Sequence, residues 1–447
     1  MDFGKIKAKH FPKKFIWGVA TSAYQTEGGR HLGGKQDSIW DTFTNSRKFK
    51  NGNGNKATDF YHKYEKDIKL IKELNLGSFR FSISWARIFP DGIGEPNPDG
   101  VEFYHKVIDC CLANEIEPWI TLYHWDLPQA LQNMGGWTNR EILHWFSHYA
   151  EFCSREFGPK VKKWFVLNEP MSFIGLGYFM GIHAPGKKGL RFFLPAAHHA
   201  TLCQAEGGRV LRKNMPDAQI GTTFSCSVVR PKNIWRRHVN AAKRLDALLN
   251  RFFIEPTLGL GYPTDVIPRL KRIEKYFQPG DEEMMKFDFD FIGIQYYFRI
   301  VAQYSLLPPI LFANQIPAEK RNVKINNMGM EIYPKGLLKM LEKFSQYKGV
   351  KEIYISESGV CFDEELIDGK VNDKNRIQYF KKTFKICRKA IKRGINLKGY
   401  FIWTLVDNFE WADGFKPRFG IVFNNFNTQK RTIKKSGQWI KEFLKKG

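Results

Sequence analysis

The sequence predicts an α/β fold, a closed (β/α)8 barrel formed as one domain over residues 1–447. Three observations carry that expectation. Eight short runs rich in aromatic and β-branched residues recur along the chain. Helical or long connecting segments separate them, and strands that alternate with helices pair in parallel. No Gly/Ser/Pro-rich linker divides the chain; GIGEPNPDG, Gly92 to Gly100, forms turns but is too short and too embedded to separate domains.

Taken in order, FIWGVATSAYQTEG opens the series. Tyr61, Tyr64, Ile68, Ile71 and Leu74 then share one helical face, and Gly77 is expected to end that helix. SFRFSISW supplies the second strand. A helix from Gly100 to Ala113 leads to IEPWITLYHWD, and another from Asn139 to Phe157 leads to KWFVLNEP. In the last of these, Trp164–Leu167 reads as a buried strand that runs into Asn168 and Glu169, after which Pro170 bars the ladder from continuing. AQIGTTFS, FDFIGIQYY, KEIYISESG and NLKGYFIWTLVDNFEW complete the eight. The loops after strands six and eight, and the stretch Pro308 to Met328, are long enough to shape a deep mouth. Eight units across this length favour a closed barrel of the TIM type over an open sheet.

Hydrophobic residues make up 43% of the chain and aromatics 15%, enough for a large core and too many for a disordered chain. The seven cysteines are scattered, without a C-x-x-C, which argues against a disulfide framework or a zinc site and suits a reducing compartment. The segment MDFGKIKAKHFPKKF lacks an apolar h-region and no run is long enough to cross a bilayer, so a cytoplasmic protein without a membrane partner is expected. The formal charge of +25 raises nucleic acid as a partner. In KNRIQYFKKTFKICRKAIKRG, however, Ile377, Phe380, Phe384, Cys387 and Ile391 recur at helical spacing and the basic residues take the remaining positions. That is a solvated basic face, with polyanion binding as the alternative and no specific nucleic acid expected. Oligomeric state is not readable from the sequence.

Barrel active sites sit at the carboxyl ends of the strands, where Glu169 and Glu357 both fall. Two carboxylates across one pocket suit glycoside hydrolysis, one donating a proton and the other acting as nucleophile or base. Gln25, Glu27, Arg80, His124, Trp125, Asp126, Asn168, Tyr297, Trp403, Glu410, Trp411 and Phe419 fall on the same rim. Amides, imidazole and carboxylate match sugar hydroxyls, and indoles match the apolar face of a pyranose. Singly, His124 reads as a core histidine, Trp403 as barrel filling, Arg80 as a structural ion pair and Gln25 as a loop cap; their shared rim is what joins them. No metal-ligand spacing and no phosphate-cradling glycine loop is present, so no cofactor is expected.

With FIWGVATSAYQTEGG, RFSISWARIFP, YHWDLPQAL, LNEP, GIQYY, ISESG and DNFEWADGF…RFGIV in this order, the chain resembles the family 1 glycoside hydrolases, the β-glucosidase family, from Phe15 to about Phe423. The resemblance implies Glu169 as acid/base, Glu357 as nucleophile and retention of anomeric configuration. It also implies Gln25, His124, Asn168, Glu410 and Trp411 around the nonreducing sugar, Trp403 beneath it, and Arg80 and Tyr297 against the nucleophile. Trp125, Gln295 and Phe419 complete the expected binding set. Glu357 has to be ionised, which Arg80 and Tyr297 favour; Glu169 has to start protonated, which burial and a negative neighbour favour.

Four positions depart from the family pattern. Gln295 and Ser358 stand where asparagines are usual, both beside the carboxylates. Ser225 replaces another asparagine, and Met330 replaces a tryptophan on the leaving-group side. The expected substrate is a small β-glycoside with a terminal glucosyl, fucosyl or galactosyl group. The rivals are a 6-phospho-β-glycosidase, which Glu410 disfavours, and a non-catalytic barrel, which has no reason to keep both glutamates, Arg80 and Tyr297.

Overall fold

The eight runs become eight parallel strands in the computed structural model, which describes residues 6–308 and 310–445. They are β1 (Ile16–Ala20), β2 (Ser78–Ser82), β3 (Glu117–Tyr123), β4 (Lys163–Asn168), β5 (Gln219–Pro231), β6 (Phe291–Tyr304), β7 (Ile353–Ser358) and β8 (Leu397–Trp403). Each pairs with the next, and β8 returns to β1 with Ile16 opposite Gly399 and Ala20 opposite Trp403, so the sheet closes. The main crossover helices are Phe60–Glu73, Pro98–Ala113, Ile142–Phe157, Leu190–Asn214, Arg236–Asp246, Lys335–Ser345 and Lys374–Lys392, with Lys435–Leu444 after β8. No helix among the described residues is long and apolar enough to cross a membrane. Residues 1–5, the start of the segment expected to carry no signal, lie outside the described residues.

Two cores result. The larger fills the space between barrel and helices. The smaller lies inside the barrel, where Trp119, Phe165, Phe291, Tyr354 and Phe401 form an aromatic plug beneath the strand ends. Trp119 meets Phe291, Tyr354 and Phe401 edge-on, with ring centroids 5.6, 5.1 and 5.1 Å away. Gly18 makes room for this plug: a Cβ there would lie 2.6 Å from the Phe401 ring and 2.7 Å from the Ser78 carbonyl.

Several local expectations shift. The first crossover helix stops at Glu73, and Asn75, at φ 60°, turns the chain. Gly77 instead leads into β2, donating its N–H to the Trp17 carbonyl at 3.0 Å. The second begins at Pro98, whose missing N–H costs nothing in the first turn, and the third begins at Ile142. β5 and β6 outrun their predicted ends and continue paired to Pro231 and Ala302, where Ala313–Gln315 adds an antiparallel strand. That extension rises above the barrel mouth as a wall. Arg376 also departs from the basic-face reading. It is fully buried, ion-paired with Asp373 (2.9 Å) and Glu364, and donates to the carbonyls of Phe419 and Arg418 at 2.8 Å. Buried Lys434 joins the same cluster through Glu364 and Asp407.

Candidate active site

β4 fixes the first acid. Trp164–Leu167 are fully buried, so the strand end cannot shift. Glu169 donates its N–H to the Thr223 carbonyl of β5 at 3.0 Å, and its own carbonyl accepts the Ser172 N–H at 2.8 Å to start the helix Pro170–Ile174. The turn from strand to helix puts Glu169 at φ 47°. Trp125 (φ 81°) and Trp411 (φ 48°) are left-handed too. Three large non-glycine residues in this sparsely populated region, each costing about 1–3 kcal/mol, gather at one rim. The Glu169 carboxyl is pushed up to about 8, first by burial and then by the negative charge of Glu357; the Ser172 and Ser225 hydroxyls and Arg80 work against that rise.

Glu357 is held differently. Arg80 Nη1 donates to its Oε1 at 2.5 Å and the Tyr297 hydroxyl donates to its Oε2 at 2.9 Å. Burial raises this carboxyl above the ordinary range, while Arg80, Tyr297 and Gln295 pull it back toward the ionised form. The expected influence of Arg80 and Tyr297 is thus present, but it offsets desolvation rather than leaving the acid unusually strong. The Tyr297 phenol is driven well above its usual value by burial and Glu357, so it stays a donor. Arg80 is fully buried, lies 4.5 Å above the Phe165 ring of the plug, and sends Nη2 to Asn168 Oδ1 at 2.5 Å.

Asn168 relays this order outward. Its Oδ1 accepts from Arg80 and from Gln295 Nε2 (2.8 Å), which leaves Nδ2 to donate to His124 Nε2 at 3.0 Å. Burial holds His124 well below its usual pKa, so the ring is neutral. With Nε2 accepting, the proton resides on Nδ1, a buried nitrogen without a partner among the described residues. Such an orphan donor suits a ligand hydroxyl. Trp125 is anchored by Nε1–H to the Asn168 carbonyl at 2.9 Å and packs on Trp411 at 4.6 Å. Gln25 donates to the Phe409 carbonyl at 2.8 Å and to Glu410 Oε2 at 3.3 Å. Glu410 is partly buried, and its carboxyl is pushed up to about 8 by burial and by Asp413.

A cavity of about 960 Å³ joins these groups. His124, Trp125, Glu169, Tyr297, Glu357, Trp403, Glu410, Trp411 and Phe419 line it, as do Ser225 and Met330. Gln25, Arg80, Asn168 and Gln295 are fully buried behind its wall, where they orient Glu410, Glu357 and His124. Met328 and Pro308 also line it, so the long stretch between them does shape the mouth.

Three sequence readings need correction. Ser358 alternates away from the cavity, bonding the Tyr296 carbonyl (3.1 Å) and Tyr379 (2.8 Å), so it does not touch the acid that precedes it. Glu27 does not join the rim; Arg87 (3.0 Å) and Tyr104 (2.5 Å) bind it inside the fold. Asp126 is likewise buried away from the cavity, with burial raising its carboxyl well above the usual range. Sequence reasoning missed Ser172, Phe298 and the apolar wall to which residues 175–182 and 245–249 contribute. Their only signal was position after β4 and β5 or late in β6, shared with many other residues.

Residues 7–447 match the family model described as glycosyl hydrolase family 1, beyond both ends of the span marked by the motifs. The chain is 42% identical over 442 residues to beta-glucosidase A of Acetivibrio thermocellus, covering 97% of this chain and 98% of that protein. It is 38% identical over 441 residues to a 1,4-beta-D-glucan glucohydrolase of Thermotoga neapolitana, with 98% of both covered. The solved family 1 b-glucosidase from Thermotoga maritima superposes with a TM-score of 0.93 at 37% identity, over 97% of each chain.

Proposed function

The chain belongs to glycosyl hydrolase family 1, and from that premise we propose that it is a retaining β-glucosidase acting on terminal nonreducing β-D-glucosyl groups, with fucosyl and galactosyl groups as secondary substrates. One observation carries the reading. Across a single cavity, Glu357 is paired with a guanidinium and a phenol, while Glu169 is held protonated by burial and by Glu357. The two acids therefore differ in charge before substrate arrives.

Glu169 donates its proton to the glycosidic oxygen as Glu357 attacks the anomeric carbon, giving a covalent glycosyl-enzyme and a free alcohol. The charge on Glu357 is then consumed, which removes the repulsion that kept Glu169 protonated. Glu169 as carboxylate takes a proton from water, whose oxygen releases the sugar with its original configuration. His124 Nδ1–H, Glu410 and the Trp403–Trp411 surfaces hold the glucosyl group. The 6-phospho-glycoside alternative is disfavoured because Glu410, a carboxyl beside Asp413, gives a phosphate no counter-charge.

The test is 4-nitrophenol release from its β-glucoside by the wild type and by Glu357→Ala, beside the β-fucoside, β-galactoside and 6-phosphoglucoside. The wild type alone should turn over the unphosphorylated sugars, with the β-anomer appearing first by NMR. Equal release by the two proteins removes Glu357 from the mechanism.

A further inference from the structure

The cavity is far larger than one pyranose requires: about 960 Å³ is at the upper end of the roughly 300–1,000 Å³ of small-molecule sites. Glu169, Glu357 and their neighbours occupy one end of it. Away from them the wall is mainly apolar, aliphatic side chains with Phe179, Phe193 and Phe298 among them, and comes from three directions. Leu176 and Phe179 follow β4, Leu245 and Leu248 follow β5, and Ile300 and Leu311 belong to the raised β5–β6 extension and its return. Two of these sources are π-helical turns, Gly175–Met180 and Ala247–Arg251. Their wider i→i+5 turns set adjacent apolar side chains side by side on the cavity, so Phe179 is joined by Met180 and Leu248 by Leu249.

Polar groups there are few: Ser172, Ser225 and Ser227 line the inner part, and others are turned away or stand at the edge. Asn250, within the second π turn, is turned away to Ser227, whose N–H it accepts at 3.0 Å and whose carbonyl it donates to at 2.9 Å. Lys188, Asn314 and Gln315 are exposed at the rim. Met330 occupies the position where a flat indole is usual, offering a flexible thioether to its neighbour. Its loop is fixed by Asn326, whose Oδ1 accepts the Met328 and Met330 N–H groups at 3.0 Å. A second sugar seated here would lose water from its hydroxyls and regain few partners, chiefly Ser225, Ser227 and the rim side chains. Apolar substrate surface would only gain. The same surface reaches the outside, where Met180 and Ile182 are each 50% exposed.

We propose that the outer half of the cavity binds a long apolar aglycone, an alkyl or lipid chain, so that the preferred substrates are amphiphilic β-glucosides rather than oligosaccharides. This rests on the β-glucosidase reading for the glucosyl half alone.

The test measures binding separately from turnover. Methyl, hexyl and octyl 1-thio-β-D-glucosides, which resist hydrolysis, are titrated calorimetrically into the wild type below their micelle-forming concentrations. Burying one methylene contributes up to about a fourfold gain in affinity, so Kd should fall about twofold or more per added carbon. Leu176→Asp and Leu248→Asp, on separate walls, should each weaken octyl binding about tenfold or more while changing methyl binding far less. In parallel, kcat/KM for octyl β-glucoside should exceed that for cellobiose. A Kd independent of chain length overturns the proposal, whichever substrates are cleaved. Affinity that climbs with chain length in a protein that cleaves no glucoside upholds this assignment and sinks the hydrolase reading instead.

Discussion

Replacing Glu169 by glutamine should stabilise the folded protein in alkaline solution and leave it almost unchanged near pH 5. The native carboxyl keeps its proton up to about 8, against an ordinary value of 4.5. Between those values the native state binds more protons than the unfolded chain, so stability falls as pH rises, and the full cost is reached above the native pKa. At about 1.4 kcal/mol per pH unit, the interval amounts to about 5 kcal/mol. Relaxation and water entry in a real cavity reduce that figure, so a difference of about 2–5 kcal/mol is expected at pH 9 and under about 1 kcal/mol at pH 5. Glutamine has nearly the same shape and no charge to desolvate. Glu410, whose carboxyl is also near 8, contributes the same slope to both proteins and cancels. Urea midpoints followed by tryptophan fluorescence at pH 5, 7 and 9 would measure the difference. A gap between the two proteins that is the same at every pH would refute the claim that burial and Glu357 hold Glu169 neutral.

Other expected outcomes follow from the same contacts. Glu169→Ala should slow alkyl β-glucosides at least about a hundredfold more than 2,4-dinitrophenyl β-glucoside, because only a poor leaving group needs the donated proton; steady-state kcat/KM for both decides it. Tyr297→Phe removes the 2.9 Å donor from Glu357. A hydrogen bond to a charged group contributes about 1.5–3 kcal/mol, so the acidic limb of the kcat/KM profile should move up by about one to two pH units. Arg376→Leu leaves Asp373 without its cation and Glu364 with Lys434 alone, and should cost about 3–5 kcal/mol, read as a lowered melting temperature.

The barrel was legible because each strand carries its own signature and stops at a polar residue. Trp164–Leu167 followed by Asn168, Glu169 and Pro170 shows strand, functional group and terminator in seven residues. A strand end on a closed barrel has a single place to go, so Glu169, Glu357 and Tyr297 could be brought together before any coordinates. What was hidden depends on contacts between distant segments. Alternation along β7 decides that Ser358 faces Tyr379 when Glu357 faces Arg80, and nothing beside Ser358 in the sequence announces that partner. Asn75 stops its helix by adopting φ 60°, a conformation that Gly77 would also have allowed. The two π turns arise where packing fits an extra residue into a helix, and Leu248 beside Leu249 reads locally as ordinary helix. Arg376 sits among lysines that face water, and the carboxylates of Asp373 and Glu364 with the carbonyls of Phe419 and Arg418 explain its burial.

Closure of β8 against β1 also bears on how the protein is made. The Thr404 hydroxyl reaches the Ala20 carbonyl at 2.7 Å and Gln25 reaches Phe409 at 2.8 Å, each across 384 positions. A ribosome delivers the second of these partners 384 residues after the first. Until then β1 has an unsatisfied edge, and the residues beneath Glu410 have no floor to stand on. The half of the cavity around Glu410 and Trp411 therefore comes into being only when β8 and the segment after it reach β1.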